Sequence, residues 1–262
     1  MIDIIIPGYN CRKTLASCLD SICCQSCAKK LNVVFVDDCS EDDFANVLES
    51  YSVILNIKYL KSDINRGPGY CRQLGLNNSS SEFVMFMDAD DLIADEDSLS
   101  VLLEAIKNSC DYVSSLVYNE SLDVVLDNPG DLHGKIYRRS FLKKNKIEFT
   151  ESRLHEDNLF NSLVLLNNPR KEHISRVTYL YLDLSGSLSN SISLYSETSL
   201  KEYVKNISFV KAHFSDSGDN SALADYLDAK YSYLKAIYES ADEDSRKLLT
   251  DLTESYGLKP LK

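Results

Sequence analysis

Four short apolar runs in the first third of the chain alternate with stretches of helical periodicity, and this alternation limits the choice of fold most strongly. The apolar runs are residues 2–6, 33–36, 57–60 and 83–87. Between them, residues 13–26 and 44–48 carry apolar side chains at helical spacing, and a third helix is expected to begin near Gly69. Strand alternating with helix predicts a parallel sheet wound by right-handed crossovers. We therefore expect residues 1–92 to form a Rossmann-like half.

The pattern of the chain changes after this half. Further helices and strands are expected at residues 99–106, 112–118, 139–144, 159–166 and 177–182. From Glu197 onward, apolar residues recur at helical spacing, which predicts consecutive helices. The predicted fold class is α/β, with a Rossmann-like, mostly parallel central sheet flanked by helices. Residues 93–190 would complete this domain, and residues 191–262 would add a C-terminal helical region.

The net charge of the chain is −12, which limits the partners that it can bind. Nonspecific binding of DNA or of an anionic membrane draws on clustered Lys and Arg, so neither is expected, although a local basic patch stays open. No stretch is long and apolar enough to cross a bilayer, and the amino terminus lacks the basic region of a signal peptide. We expect a cytoplasmic protein whose eight cysteines are free thiols.

Three carboxylates, Asp88, Asp90 and Asp91, follow directly on the fourth apolar run. Crowded carboxylates repel one another unless a cation or water relieves the repulsion, so a metal site is one interpretation. The other interpretation is the acidic first turn of a helix, with Asp90 or Asp91 as its cap. The spacing alone leaves both open.

Three other polar loops follow predicted parallel strands and should emerge at the same edge of the sheet. In PGYN, Tyr9 offers a ring on which a base could stack; a simple turn is the alternative. In DDCSEDD, Asp37 and Asp38 could accept hydrogen bonds from a base or a ribose, with helix capping as the alternative. In NRGPGYCRQLG, Gly67 allows close approach of a ligand, and Arg72 could pair with phosphate. This loop is neither a Walker A nor a GxGxxG sequence, so ATPase and dehydrogenase chemistry do not follow.

Six segments, in this order along the chain, resemble the motifs of the family 2 glycosyltransferases, which have the GT-A fold. They are IIIPGYN, VFVDDCSEDD, INRGPGYCRQLGL, FMDADD, LHEDNLF and YLYLDLSGSLS. The fourth is similar to the DxD segment of that family, and the fifth is similar to its ED motif. Cys39 and Gln73 stand where the family usually has Gly and Asn. The resemblance spans about residues 2–190 and implies both the GT-A fold and glycosyl transfer.

The resemblance also implies roles for individual residues. The nucleotide-sugar site would consist of Pro7, Tyr9, Asp37, Asp38, Asn65, Gly67, Arg72, Asp88 and Ala89. Asp88 and Asp90 would hold a divalent metal, Mn or Mg, and Asp157 would be the general base. Glu156 and His133 would lie at the acceptor or at the donor sugar. The third protein ligand of the metal is unassigned, and the candidates are His133, His155 and His173.

The expected activity is inverting, metal-dependent transfer from a nucleotide sugar, taken to be a UDP-sugar, to a hydroxyl acceptor. A carboxylate base would deprotonate the acceptor while the sugar carbon develops oxocarbenium character. The expected acceptor is a surface glycan or its lipid-linked precursor, and a modified phage DNA base is the alternative. A nucleotidyltransferase and a nonenzymatic sugar-nucleotide binder are the rival classes. The C-terminal helices could bind an acceptor, a partner or a second subunit of a homo-oligomer.

Overall fold

The computed structural model describes residues 1–127, 131–182, 196–215 and 221–261 and contains one mixed sheet flanked by helices. Its strands are β1 Ile2–Gly8, β2 Leu31–Asp37, β3 Asn56–Lys61, β4 Phe83–Phe86, β5 Leu92–Ile93, β6 Tyr112–Asn119, β7 Val124–Leu126, β8 Lys135–Arg138 and β9 Lys171–Tyr181. Its α-helices are α1 Arg12–Cys23, α2 Ala45–Tyr51, α3 Pro68–Asn77, α4 Ser98–Lys107, α5 Arg139–Lys144, α6 Glu156–Leu166, α7 Glu197–His213, α8 Ser221–Ser240 and α9 Glu243–Ser255.

The sheet has two halves of different topology. Its strand order is β3-β2-β1-β4-β8-β6-β9-β5, with β7 paired to β6. Strands β1 to β4 run parallel to one another, whereas β8 is antiparallel to both β4 and β6. The pairing of β6 with β9 is parallel again. The parallel half brings the carboxyl ends of β1, β2 and β4 to one edge, which is where open α/β sheets bind ligands.

Successive residues of β1 fill two cores, one on each face of the sheet. Ile4 and Ile6 lie in the core that contains the apolar face of α1, while Ile5 lies in the core that contains residues of α3 and α6. All three side chains are completely buried. This burial on both faces explains why the run is apolar throughout. Burying each such side chain contributes roughly 1.5–3 kcal/mol.

The C-terminal helices α7, α8 and α9 share a third core, and α7 also belongs to the main domain. Val204 and Ile207 lie in this third core, whereas Val210 and Phe214 pack in the core that contains the apolar face of α6. Helix α7 is therefore anchored on two sides. Within the described ranges, no helix has the length and apolar character needed to span a membrane.

The predicted fold class is confirmed, and the four apolar runs form β1 to β4. Helix α3 begins at Pro68, just before the predicted start, because proline suits the first position of a helix. Strands β5, β7 and β8 escaped prediction because none of them is an unbroken apolar run of four or more residues. The second part of the sixth motif, residues 183–189, lies outside the described residues.

Candidate active site

The first acid after the buried run of β2 anchors its own loop. Asp37 is fully buried and accepts hydrogen bonds from the Ser40 N–H (2.8 Å) and the Tyr59 hydroxyl (2.9 Å). The Lys61 ammonium lies 3.1 Å from the same carboxylate. Burial acts to raise the pKa of Asp37, but the hydrogen bonds and the lysine outweigh it, so the pKa is lowered. The bond from Ser40 closes the turn after β2 and is not the helix cap that the sequence left open, because α2 begins only at Ala45 and its N-cap residue, Phe44, makes no side-chain capping bond.

The second acid, Asp38, fixes the third loop through the backbone of that loop. Its carboxylate oxygens accept hydrogen bonds from the N–H groups of Arg66 (2.8 Å) and Gly67 (2.7 Å). Gly67 has a φ of 92°, and an added Cβ would lie 2.8 Å from the Arg153 side chain. Glycine is therefore needed here for the backbone and for the approach of Arg153, whereas the sequence suggested the approach of a ligand. The Arg153 guanidinium donates to the Asn65 carbonyl (2.9 Å), and the buried Asn65 amide oxygen has no partner within the described residues.

Three other predicted residues flank these loops. Tyr9 lies just beyond β1 and is 53% exposed, so its ring is open to a flat ligand. Pro7 is half-buried within β1, next to Val36 of β2. Ala89 is buried between the acids of the DxD segment. These positions stay predictions for nucleotide binding.

Arg72 is the link between the DxD segment and the ED motif. Its guanidinium donates to one oxygen of Asp88 (2.5 Å) and also to a carboxylate oxygen of Glu156. Arg72 and Glu156 are each 5% exposed, so this pairing of α3, the end of β4 and the start of α6 is shielded from water. Burial raises the pKa of Glu156 to about 7 despite the arginine. The sequence suggested a phosphate as the partner of Arg72, and the structure gives it two carboxylates.

His133 meets the other oxygen of Asp88. Its Nε2 lies 3.4 Å from Asp88 Oδ2 and 3.7 Å from Asp91 Oδ2, and its Nδ1 lies 3.7 Å from Asp131 Oδ2. Burial alone would lower the pKa of His133, but the neighbouring carboxylates of Asp131 and Asp88 outweigh burial and raise it to about 10. The ring stacks on Tyr179 at a centroid distance of 5.1 Å. The ring of His133 thus lies among acids that favour its protonated form.

One oxygen each of Asp88 and Asp91 and one ring nitrogen of His133 all lie within 4.8 Å of one another. Carboxylate oxygens with one imidazole nitrogen form a donor set that accepts Mn²⁺ and related divalent cations. The structure therefore supplies residues that fit the implied metal. His133, a candidate for the unassigned third ligand, is among them, whereas His155 and His173 are not.

Asp90 and Asp91 differ in their surroundings. Asp91 is fully buried and accepts hydrogen bonds from the Tyr179 hydroxyl (2.6 Å) and the Leu182 N–H (2.9 Å). Burial and the charge of Asp88 raise the pKa of Asp91 to about 7 and that of Asp90 to about 6. The alternative of a helix capped by Asp90 or Asp91 is wrong, because β5 follows immediately and α4 begins only at Ser98.

Asp157 lies in the first turn of α6, where the sequence placed it. One of its oxygens accepts a hydrogen bond from the N–H of Asn158 (2.7 Å), and the side chain is half-buried. Its neighbour Glu156 is joined through Arg72 to Asp88. Asp88 and Glu156, far apart in the sequence, are thus held by one arginine, and Asp157 follows Glu156 in the first turn of α6.

A buried network behind His133 was not found from the sequence. Lys135 is 3% exposed, and its ammonium lies 3.6 Å from an Asp131 carboxylate oxygen. The amide group of Asn161 donates to the Asp131 carbonyl and accepts from the Tyr137 hydroxyl (2.8 Å). A lysine opening an apolar strand in GKIYR was the available signal, since a buried lysine requires a partner.

The sheet has a parallel half, formed by β1 to β4, which continues into a mixed half. Acidic residues from both halves lie at one edge of the sheet. This arrangement is the GT-A fold of glycosyltransferases. The model of the family described as glycosyl transferase family 2 matches residues 3–160, more than half of the chain. The chain belongs to glycosyl transferase family 2.

Two of the relatives in sequence are poly(ribitol-phosphate) glycosyltransferases of bacteria. The poly(ribitol-phosphate) beta-N-acetylglucosaminyltransferase TarS of Staphylococcus aureus is 30% identical over 252 residues, covering 88% of this chain and 44% of TarS. The poly(ribitol-phosphate) beta-glucosyltransferase of Bacillus spizizenii is 25% identical over 291 residues, covering 92% of this chain and 46% of the relative. The chain thus spans less than half the length of these relatives.

Solved structures agree on the fold. The crystal structure of S. aureus TarS 1–349 in complex with UDP-GlcNAc has a TM-score of 0.84 at 23% identity, covering 97% of this chain and 80% of that one. The mannosyltransferase PcManGT of Pyrobaculum calidifontis, in complex with GDP-Man and Mn²⁺, has a TM-score of 0.61 at 17% identity, covering 99% of this chain and 81% of that one. The fold predicted from the sequence is therefore confirmed.

Proposed function

We propose that this chain transfers a sugar from a UDP-sugar to a hydroxyl group of a polyol-phosphate cell-wall polymer or its precursor, with inversion at the sugar carbon. Membership of family 2 and the activities in the names of its relatives support the reaction class. The observation that carries the proposal is the buried Arg72 link, which joins Asp88 of the DxD segment to Glu156 beside the proposed base. The names of the relatives support narrowing the expected surface glycan to a polyol-phosphate polymer, and we do not favour a modified DNA base as the acceptor.

The chemistry follows from where the acids lie. Asp157 would accept the proton of the acceptor hydroxyl, because a half-buried carboxylate at the start of α6 can face an incoming substrate. Glu156 would remain paired with Arg72 and hold the start of α6 against α3. Tyr9 would stack on the base, with Pro7, Asp38, Asn65, Gly67 and Ala89 shaping the remainder of the nucleotide site.

A divalent cation, Mn²⁺ or Mg²⁺, would be held by Asp88 together with His133 and the acids that follow Asp88. The fit of this donor set supports the proposal. Such a cation would offset the negative charge that develops on the departing diphosphate. His133 would release its proton on binding the metal, because a ligating imidazole must be neutral.

The boundaries and the compartment are part of the proposal. Residues 1–92 would bind the nucleotide, residues 93–190 would bind the acceptor, and residues 191–262 would form the helical region. Cytoplasmic residence is supported by the eight cysteines, all of which are free thiols in the structure.

The test is a donor and acceptor screen. The protein is incubated with UDP-GlcNAc, UDP-Glc and UDP-Gal, with Mn²⁺ and poly(ribitol phosphate), and UDP release and the mass of the polymer are measured. We expect UDP release that depends on the polymer, adds one sugar mass per event and stops when the metal is chelated. Release of pyrophosphate would point to a nucleotidyltransferase, and binding of UDP-sugars without turnover would point to a nonenzymatic binder.

A further inference from the structure

Helix α7 contacts His155, the residue that precedes the ED motif, through three of its side chains. The His155 Nε2 lies 2.9 Å from the Ser199 hydroxyl, and the His155 carbonyl accepts a hydrogen bond from the Asn206 amide at 3.1 Å. The ring of Tyr203 meets the His155 ring edge to face at a centroid distance of 5.5 Å. All three contacting residues belong to α7, in the region whose role the sequence left open.

A fourth contact holds the segment upstream of His155. The Ser152 hydroxyl lies 2.8 Å from a carboxylate oxygen of Glu202 on α7 and 2.6 Å from the Leu154 carbonyl oxygen, and its single proton can be donated to either acceptor. Ser152 is 1% exposed. The whole turn from Ser152 to His155 is therefore fastened to one helix.

His155 has an unusual backbone for its position. It has a φ of 62° and a ψ of 13°, which places it in the left-handed region. A residue that caps a helix N-terminus ordinarily has an extended backbone and uses its side chain to bind the first turn. His155 has no such side-chain bond to α6, because its ring is turned to α7. A non-glycine residue keeps this conformation only when its surroundings enforce it.

Helix α7 is able to enforce it because other contacts fix α7 independently. Val204 and Ile207 are buried in the C-terminal core, and Val210 and Phe214 are buried in the core of the main domain. A helix held in two cores provides a rigid frame for a strained turn.

We propose that α7 is a positioning element of the active site, in which Asn206 and Ser199 hold His155 in its left-handed conformation and thereby aim Asp157 at the acceptor. This inference rests on the proposed function, because it takes Asp157 to be the base. It gives the C-terminal helices a part in turnover without any contact to substrate. Removing a contact between α7 and the turn at His155 should therefore lower kcat and leave nucleotide binding unchanged.

The main test variant is Asn206→Leu, which keeps the size of the side chain and removes the hydrogen bond to the His155 carbonyl. We expect kcat to fall about 10- to 100-fold, since small misplacements of a reacting group cost this much, with the KM for the donor and the Kd for UDP unchanged. Ser208→Ala is the matched control, because Ser208 lies on the same helix and bonds the Tyr256 carbonyl instead (3.2 Å). The control should keep the wild-type kcat.

A second pair of variants separates positioning from simple loss of stability. Glu202→Ala removes the acceptor for the Ser152 hydroxyl, whereas Glu202→Gln keeps an acceptor oxygen at that place. We expect Glu202→Ala to lower kcat and Glu202→Gln to restore most of it. Equal losses in the two variants would contradict a role for this hydrogen bond.

Amide hydrogen exchange tests the structural part of the inference without reference to turnover. In Asn206→Leu, the amides of residues 155–159 should exchange at least 10-fold faster than in Ser208→Ala, while those of β1 and β4 stay protected. If exchange and kcat both match the control, the positioning role is overturned. If the wild type transfers no sugar but the exchange difference appears, the proposed function fails and the structural part of the inference stands.

Discussion

At some positions of this protein, the backbone conformation limits which residue fits as much as the chemistry of the side chain does. Cys39 has a φ of 63° in the loop after β2, at a position where the family usually has glycine. Gly67 has a φ of 92° in the next loop. Left-handed backbone costs about 1–3 kcal/mol for a residue with a side chain, so these two loops at the ligand edge differ in stored strain. The strain at Cys39 could not be read from the sequence, since cysteine has no preference for this region.

Cys39→Gly should therefore raise the free energy of unfolding by about 1 kcal/mol, since relief of the left-handed backbone exceeds the entropy cost of glycine. Gly67→Ala, the reverse change one loop further on, should lower it by about 1–3 kcal/mol. Urea denaturation measures both. A loss of stability in Cys39→Gly would show that the thiol contact to the Asp63 carbonyl (3.4 Å) outweighs the strain.

The charge of His133 makes a pH prediction at the same scale. Its pKa is raised to about 10 in the folded protein, against about 6.5 for an unfolded histidine. A raised pKa means that the contribution of the charged ring to stability is complete below about pH 6.5 and is lost as the pH rises through about 10.

Wild type and His133→Gln should thus differ most in free energy of unfolding near pH 6, and the difference should shrink steadily toward pH 10. Thermal or urea unfolding in the presence of a chelator measures this trend. A difference that grows with pH would contradict the imidazolium assignment.

Asp90 and Asp91 compete for the role of second acidic ligand. Asp91 lies within the group of three, but hydrogen bonds from Tyr179 and Leu182 already occupy it. Asp90 matches the second acid of the DxD pattern and is only half-buried. We expect Asp90→Ala to abolish Mn²⁺-dependent UDP binding, as measured by titration calorimetry. Unchanged affinity for UDP would indicate that Asp91, and not Asp90, is the second acidic ligand of the metal.

At the scale of elements, the packing of α3 decides where Arg72 lies. Gly69 of α3 is so close to the segment before α6 that an added Cβ would lie 2.4 Å from the Thr150 carbonyl oxygen and 2.9 Å from that of Ser152. Backbone atoms cannot move aside as a flexible side chain can. The contact of α3 with this segment therefore sets the distance between Arg72 and Glu156.

Gly69→Ala should lower the free energy of unfolding by about 1–3 kcal/mol, as overpacking does, and should also lower kcat by displacing Arg72. Gly257→Ala is the control, because Gly257 has a left-handed backbone but no atom within 4 Å of an added Cβ. The control should lose stability and keep kcat. A wild-type kcat in Gly69→Ala would show that the position of Arg72 does not depend on this packing.

Strands and helices were predicted correctly where the sequence shows one clear hydrophobic pattern. The strands β1 to β4 are apolar on both faces, so each appears as an unbroken run. The mixed half was harder, because β8 begins with the buried Lys135 and is four residues long. The partners of Asp88 could not be predicted from the sequence either. His133 and Arg72 reach it through the sheet order and the packing of α3, which no local pattern encodes.

At the scale of the whole molecule, the structure gathers acids from three distant segments around the buried Arg72 and the half-buried His133. Asp88 receives both cations, one on each carboxylate oxygen. Arg72 also pairs with Glu156 of the ED motif, and His133, which precedes β8, stacks on Tyr179 of β9. This arrangement allows a chain with a net charge of −12 to gather acids at one place, since Asp88 and Glu156 pair with Arg72 and Asp91 accepts two hydrogen bonds.

The central claim is that these acids divide the work of binding and of chemistry within one site. The most direct measurement compares Asp157→Asn with Asp244→Asn, the same change at an exposed position of α9. UDP affinity with Mn²⁺ and the steady-state rate of sugar transfer are measured for both variants. We expect Asp157→Asn to bind UDP as the wild type does and to lose about 100-fold or more in kcat, with Asp244→Asn unchanged. Transfer at the wild-type rate in Asp157→Asn would contradict the account.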